Sequence, residues 1–353
     1  MPLSYLRPGL PTTPTLTVSD LPCVAKLDQN ESPLDVPAEL KADLARELET
    51  LEWSRYPQPS EYSSTKRAFA AALDVDPDRV VLTAGCDQAI QGAHFVAGGP
   101  GRRALVFEPT YPMLAHAGLM AGTSVEAVDL GPGYDLRPEH VETDTHLLLV
   151  ASPNNPTGLC VRRDVVETAL ERPCFVFVDE AYHDLSGVTV APLLEDHPNL
   201  MIGRSCSKSL LAGMRLGYTI SHPEVALRLD QMLTAPYHLS HAQLLLARRF
   251  GELRPHVAAS AAQVIAERER LASGLSLLGL EPAPSQANFI LVRVEGAVAV
   301  YQGLAQRGIR VRYAPKLAGL ESFIRITVGT PDQNDLLLRA MEELRTRSDR
   351  VIS

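Results

Sequence analysis

Five short apolar runs, each ending in a cluster of small or polar residues, constrain most strongly what this chain can fold into. They are Val80-Val81-Leu82, Ala104-Leu105-Val106-Phe107, Leu147-Leu148-Leu149-Val150, Phe175-Val176-Phe177-Val178 and Leu200-Met201-Ile202, and longer helix-like segments separate them. A run with no polar face must be covered on both sides. The pattern therefore predicts an α/β fold, with a mainly parallel sheet between two helical layers. Ligands of such sheets bind beyond the carboxyl ends of the strands. Those ends read Thr83-Ala84-Gly85-Cys86-Asp87, Glu108-Pro109-Thr110-Tyr111, Ala151-Ser152-Pro153-Asn154-Asn155, Asp179-Glu180-Ala181-Tyr182 and Ser205-Cys206-Ser207-Lys208.

The chain has 353 residues, enough for one large domain and a smaller one. Residues 40–240 are expected to form the large domain, and residues 241–353 a smaller α+β domain. Residues 1–39, rich in proline and polar groups, read as an arm and not as a core element. A charged helix is expected over residues 38–51. Arg55-Tyr56-Pro57-Gln58-Pro59 must then be extended, since proline forbids helix there. One long helical segment spans residues 241–278. After it come strand-like runs at residues 288–292, 309–312 and 323–328, a helix over 297–307 and a last helix over 332–345.

The net charge is −9. A chain this acidic has no overall pull toward nucleic acid or anionic lipid, so basic residues are judged singly as ligands for small anions. The five cysteines are odd in number and none are at metal-ligand spacing. They read as reduced, mostly buried thiols, and no metal site is expected. The N-terminus lacks a basic start and an apolar stretch, and no run approaches the roughly 18 apolar residues of a membrane span. A cytoplasmic location is expected.

Each strand end offers chemistry and also an ordinary explanation. Gly85-Cys86-Asp87 opens a helix, where backbone N–H groups bind phosphate; it can equally be a tight turn capped by Asp87. Tyr111 can stack on a planar ring or simply pack in its loop. Asn155 can donate to a phenolate oxygen, although Asn, Pro and Gly also make plain turns. Asp179 ends a very apolar strand, so its carboxylate needs a cation, either a ligand's or a nearby arginine's. Tyr182 follows three residues on. Lys208 lies in a mostly uncharged stretch, where a lysine can lose its proton and react with a carbonyl; a solvated surface charge is the plainer alternative. Ser205, Ser207 and Arg215 offer hydroxyl and guanidinium groups to a phosphate.

In this order and spacing the residues resemble one family. The stretches Leu27-Asp-Gln-Asn-Glu-Ser-Pro33, Arg55-Tyr-Pro57, Gly85-Cys-Asp87, Pro109-Thr-Tyr111, Ser152-Pro-Asn-Asn-Pro-Thr-Gly158, Asp179-Glu-Ala-Tyr182, Ser207-Lys208, Ala235-Pro-Tyr-His-Leu-Ser240, Asn288-Phe289 and Arg325-Ile-Thr-Val-Gly-Thr330 are similar to those of fold type I aminotransferases dependent on pyridoxal 5′-phosphate (PLP). Within them the chain resembles the histidinol-phosphate aminotransferase group. The resemblance implies that Lys208 holds PLP through a Schiff base and moves a proton in catalysis. It implies that Asp179 keeps the pyridine nitrogen protonated, that Asn155 and Tyr182 contact the ring's phenolic oxygen, and that Tyr111 stacks on the ring. The cofactor phosphate falls to Gly85, the Cys86 and Asp87 amides, Ser205, Ser207 and Arg215. Tyr56 is implied to reach that phosphate from the other subunit of a homodimer. Arg325 and Arg312 are implied to meet the substrate's anionic group, with Tyr237 nearby and Arg310 as a rival to Arg312. The implied substrates are a small amino donor and a 2-oxoacid acceptor, with histidinol phosphate and 2-oxoglutarate the first expectation.

Three features depart from the family pattern. The interval from Lys208 to Arg215 is one residue shorter, Gln88 stands where the family has Glu, and the arm lacks a tyrosine-containing Pro-Tyr segment. Three other readings stay open: an aminotransferase for another amino acid, a PLP-dependent lyase on the same scaffold, and a non-catalytic PLP-binding regulator.

Overall fold

The computed structural model describes residues 22–313 and 319–352; residues 1–21 of the proline-rich arm lie outside the described residues. The N-terminal part runs β1 (Ala25–Leu27), α1 (Ala38–Glu49), α2 (Pro59–Leu73), β2 (Val80–Thr83), α3 (Cys86–Ala97), β3 (Arg103–Glu108), α4 (Met113–Ala121), β4 (Ser124–Asp129), α5 (Pro138–Val141), β5 (Leu147–Ala151), α6 (Arg163–Leu170), β6 (Phe175–Asp179), α7 (His183–Ser186), β7 (Leu200–Ser205), β8 (Gly217–Ser221) and α8 (Pro223–Met232). The C-terminal part runs α9 (His241–Arg248), α10 (Phe250–Leu277), β9 (Glu281–Pro282), β10 (Phe289–Arg293), α11 (Ala297–Gln306), β11 (Ile309–Val311), β12 (Phe323–Thr327) and α12 (Pro331–Ile352).

All five apolar runs are strands of one seven-stranded sheet, in the order β2-β8-β7-β6-β5-β3-β4. Neighbours are parallel except at β8, which runs antiparallel to both β2 and β7. The alternation within each run divides the core in two. Leu105, Leu148, Val176, Val178 and Ile202 face a layer that includes Phe69 of α2, Val165 of α6 and Leu253 of α10. Val106, Leu147, Leu149, Phe177 and Met201 face α3, α4 and α8 through Ile90, Leu114 and Leu229. Fully burying a side chain such as Leu148 on one face or Phe177 on the other contributes roughly 1.5–3 kcal/mol, so neither face can be stripped of its helices.

β4 and β8 were not foreseen. β4 is an edge strand whose residues are all exposed or half-buried, so it carries no apolar run. β8 is wholly buried, but glycine, threonine and serine make up most of it.

A second core holds β10, β12, β11, α11, α12 and the end of α10. Residues 25–27 correct the expectation that the arm is no core element. β1 pairs in parallel with β11, and Ala25 and Leu27 are fully buried in this second core. The single long helix expected over residues 241–278 is two helices, α9 and α10. They break at Arg249, whose backbone (φ −96°, ψ 15°) cannot continue the helix.

Candidate active site

The sheet order reverses between β3 and β5, and the carboxyl ends of β3, β5, β6 and β7 open on one crevice. Into it the structure brings Tyr111, Asn155, Asp179, Tyr182, Lys208, Arg215 and Arg325, together with the start of α3.

At one end is an anion cradle. Gly85 precedes α3 with a φ of 82°, and no side chain caps the helix. Positive φ suits glycine, and a Cβ there would lie 2.7 Å from Arg215 Nη2. The free N–H groups of the first turn, which favour negative charge, therefore face a guanidinium. Arg215 Nη2 also donates to Asp87 Oδ2 at 3.3 Å, and Nη1 to Ser207 Oγ at 3.4 Å. Ser205 Oγ accepts from the Ser207 amide at 3.1 Å, which leaves its own proton free to donate. Tyr111 Oη donates to Asp87 Oδ1 at 3.0 Å, and burial raises its pKa.

The shortened interval between Lys208 and Arg215 is closed by one π turn (Ser207–Leu211), a 3₁₀ turn (Ala212–Met214), and Arg215 in left-handed conformation. Gln243 Nε2 fastens the Arg215 carbonyl at 2.7 Å. Gln88 Oε1 accepts from the Ala84 amide at 2.7 Å, so the amide side chain supplies an acceptor there.

In the floor, Asp179 is buried. Its Oδ1 accepts from the Ala181 amide at 2.9 Å and from Cys86 Sγ at 3.2 Å, while Oδ2 has no hydrogen-bond partner among the described residues. Burial pushes its pKa up to about 6. Such a carboxyl keeps its charge at neutral pH most readily beside a cation. Lys208 Nζ lies 5.8 Å from the centroid of the Tyr182 ring. Burial, helped by the like charge of Arg325, pulls its pKa down to about 8, within reach of a nucleophilic neutral amine.

The far wall is cationic. Arg325 Nη1 donates to Asn155 Oδ1 at 2.5 Å and Nη2 to the Asp28 carbonyl at 2.7 Å. Its guanidinium lies 5.4 Å from the Phe289 ring centroid, and its buried Nε has no partner among the described residues. Burial, with the charge of Arg312 adding to it, lowers Arg325 to about 10, so it remains a cation at neutral pH. Arg312 and Arg325 exchange both backbone hydrogen bonds, at 2.9 and 2.8 Å. Arg310 is in register with Lys26 of β1.

Tyr56 and Tyr237 do not join the crevice residues by any ring contact. They meet each other edge to face at 5.6 Å between centroids, and they are 73% and 57% exposed. Two contributions were missed. The Cys86 thiol holds Asp179, where only its amide was expected to act. Asn30 donates to Tyr182 Oη at 2.9 Å; its only signal was its place in the Leu27–Pro33 stretch.

PLP makes four demands on a site: a place for a dianion, a carbonyl-reactive amine, a partner for the ring nitrogen and a donor to the phenolic oxygen. The glycine cradle, Lys208, the unpaired Oδ2 of Asp179 and the Tyr182 hydroxyl meet them, so the residues present fit the cofactor.

A crevice of this composition on this sheet defines an enzyme that handles amines through a bound carbonyl. Residues 23–341 match the family described as aminotransferase class I and II, and the chain belongs to it. It is 34% identical to histidinol-phosphate aminotransferase 1 of Carboxydothermus hydrogenoformans, over 90% of this chain and 92% of that protein. It is also 34% identical to the histidinol-phosphate aminotransferase of Roseiflexus castenholzii, over 97% of this chain and 96% of that protein. The crystal structure of histidinol-phosphate aminotransferase from Sinorhizobium meliloti in complex with pyridoxal-5′-phosphate superposes with a TM-score of 0.81. The two are 23% identical, and the match covers 92% of this chain and 91% of that one. The protein is a PLP-dependent aminotransferase of fold type I, and the resemblance stated from its motifs holds. Among the described residues no helix is long and apolar enough to cross a membrane.

Proposed function

We propose that this enzyme transfers the amino group of histidinol phosphate to 2-oxoglutarate, in two half-reactions through one site. The observation that carries the reading is the paired cationic wall. Arg325 is half-buried, its enclosed Nε has no partner among the described residues, and Arg312, just past β11, forms a backbone bridge with it. A phosphate dianion matches two guanidinium groups better than a single carboxylate does. The names of the relatives support the same substrate.

When bound, PLP supplies a ring that draws electrons from the substrate carbon bearing the amino group. We assign the remaining work to the chain. Gly85, the Cys86 and Asp87 amides, Ser205, Ser207 and Arg215 seat the phosphate. Asp179 holds a proton at the ring nitrogen, Tyr111 covers the ring, and Asn155 and Tyr182 donate to its phenolic oxygen. Lys208 anchors the cofactor, then takes and returns the substrate proton. Arg325 and Arg312 bind the donor's anionic end, with Tyr237 at the edge. We further infer a homodimer in which the exposed Tyr56 reaches the other subunit's cofactor phosphate, and a cytoplasmic location, in keeping with five free cysteines. We also infer a large domain over residues 40–240 and a small one over 241–353 joined by the arm; the separate second core supports the small domain, while α9 and the start of α10 pack on the large sheet through Leu244, Phe250 and Leu253.

Steady-state kinetics on arginine variants test the substrate. Arg325→Ala and Arg312→Ala should each lower kcat/KM for histidinol phosphate by several kcal/mol in the barrier, about 2–5 if the contact is desolvated. Unchanged kcat/KM in Arg312→Ala, with loss only in Arg325→Ala, would favour a carboxylate-bearing donor instead.

A further inference from the structure

Asn30 is almost wholly buried, at 1% exposure, with a left-handed φ of 53° that asparagine tolerates better than most residues. Its groups are all engaged. The backbone N–H donates to Thr327 Oγ1 at 3.0 Å, and the carbonyl accepts from Asn288 Nδ2 at 3.0 Å. Thr327 Oγ1 in turn donates to Asn30 Oδ1 at 2.9 Å, and Asn30 Nδ2 donates to Tyr182 Oη at 2.9 Å.

The donor and acceptor roles form a closed chain. A threonine hydroxyl has one proton. If Asn30 were flipped, the buried Thr327 hydroxyl would lose its acceptor among the described residues, which is costly in so buried a place. The Asn30 amide nitrogen therefore faces Tyr182. The phenol oxygen accepts from it, and the phenol proton must point elsewhere, into the crevice where Lys208 lies beside the ring.

We propose that Asn30, clamped by Thr327 and Asn288 of the second core, is a positioning residue that fixes Tyr182 as a hydrogen-bond donor toward the cofactor's phenolic oxygen. The inference rests on the role proposed above for Tyr182. It also gives the N-terminal segment a chemical task. Asp28 of the same segment offers its carbonyl to Arg325, so one short stretch sets the direction of a cofactor donor and of a substrate cation. The seating of the second core against the sheet is then read directly at the ring.

The test uses purified holoenzyme and follows the pH midpoint of the bound cofactor's absorbance change. A donor to the phenolic oxygen favours its unprotonated, charged form, so losing the donor raises the midpoint. Tyr182→Phe should raise it by about one pH unit or more. Asn30→Asp turns the amide into an acceptor that recaptures the phenol proton, and should raise the midpoint similarly. Thr327→Val removes the clamp without adding charge and should give a smaller rise. Thr327→Val, which adds no charge, should not add to the shift when combined with Tyr182→Phe. A shift in Tyr182→Phe with none in Asn30→Asp or Thr327→Val would overturn the proposal and leave Tyr182's role standing. An additive shift in Thr327→Val combined with Tyr182→Phe would overturn it as well, since the clamp would then act on the cofactor without the phenol. No shift in Tyr182→Phe would remove the role of Tyr182 itself, and the proposal with it.

Discussion

At the residue scale, the site depends on groups held against their preferred protonation. Asp179 illustrates this best. With its folded pKa raised to about 6 above the ordinary carboxyl value, the folded protein without cofactor binds the proton more tightly than the unfolded chain does. Its stability is therefore unpenalised below about pH 4 and declines as pH rises toward and through 6. Asp179→Asn is neutral throughout. In cofactor-free protein it should gain on wild type across that window, by up to about 3 kcal/mol, as measured by urea unfolding at a series of pH values. A difference that does not change with pH would mean that Asp179 is not desolvated. Most of this residue chemistry was legible in the sequence, because a carboxylate closing an apolar strand and a lysine in an uncharged stretch are both anomalies. The Cys86 thiol and the Asn30 amide were not legible in the same way. Each acts through a contact 93 or 152 residues away in the chain, which spacing alone does not reveal.

At the element scale, the sheet sets the cradle. Gly217 on β8 packs against the turn that starts α3; a Cβ there would lie 2.7 Å from the Gly85 carbonyl carbon and 2.9 Å from the Arg204 carbonyl oxygen. Both are backbone atoms, so neither can swing aside. Gly217→Ala should destabilise the protein by about 1–3 kcal/mol and weaken cofactor retention more than a surface substitution of equal thermal effect. Dialysis against cofactor-free buffer and a thermal melt, run together, measure both. Normal retention would show that the α3 start tolerates displacement. The apolar runs made five strands readable, since full burial on both faces leaves a composition that only a central strand shares. β8 escaped because its glycine, threonine and serine are chosen by close packing and not by hydrophobicity, and β4 because an edge needs no apolar face. β1 was hidden in a proline-rich segment. Only its partner β11, more than 280 residues on, shows that Ala25 and Leu27 belong inside.

At the scale of the whole molecule, the exposed rings of Tyr56 and Tyr237, which meet each other, form an aromatic surface that the proposed homodimer would cover. Holoenzyme should sediment at twice the mass of one chain. Tyr56→Phe should keep that mass while releasing cofactor more readily, because only the hydroxyl would reach the phosphate. A monomer with full cofactor content and activity would refute the shared site. Membership of the aminotransferase family was legible because its motifs lie at strand ends, where chemistry dictates the residue. The join between the two cores, through Asn30, Thr327 and Asn288, had to be seen in three dimensions.

The most direct test of the account is a single half-reaction on holoenzyme without any 2-oxoacid. Histidinol phosphate is added alone, then a panel of amino acids in separate samples, and the absorbance of the bound cofactor is followed beside Lys208→Ala. Histidinol phosphate should convert the cofactor of wild type rapidly and stoichiometrically to its amino form, and should convert none in Lys208→Ala. Conversion by an amino acid but not by histidinol phosphate would contradict the proposed donor, and equal conversion in Lys208→Ala would contradict the site.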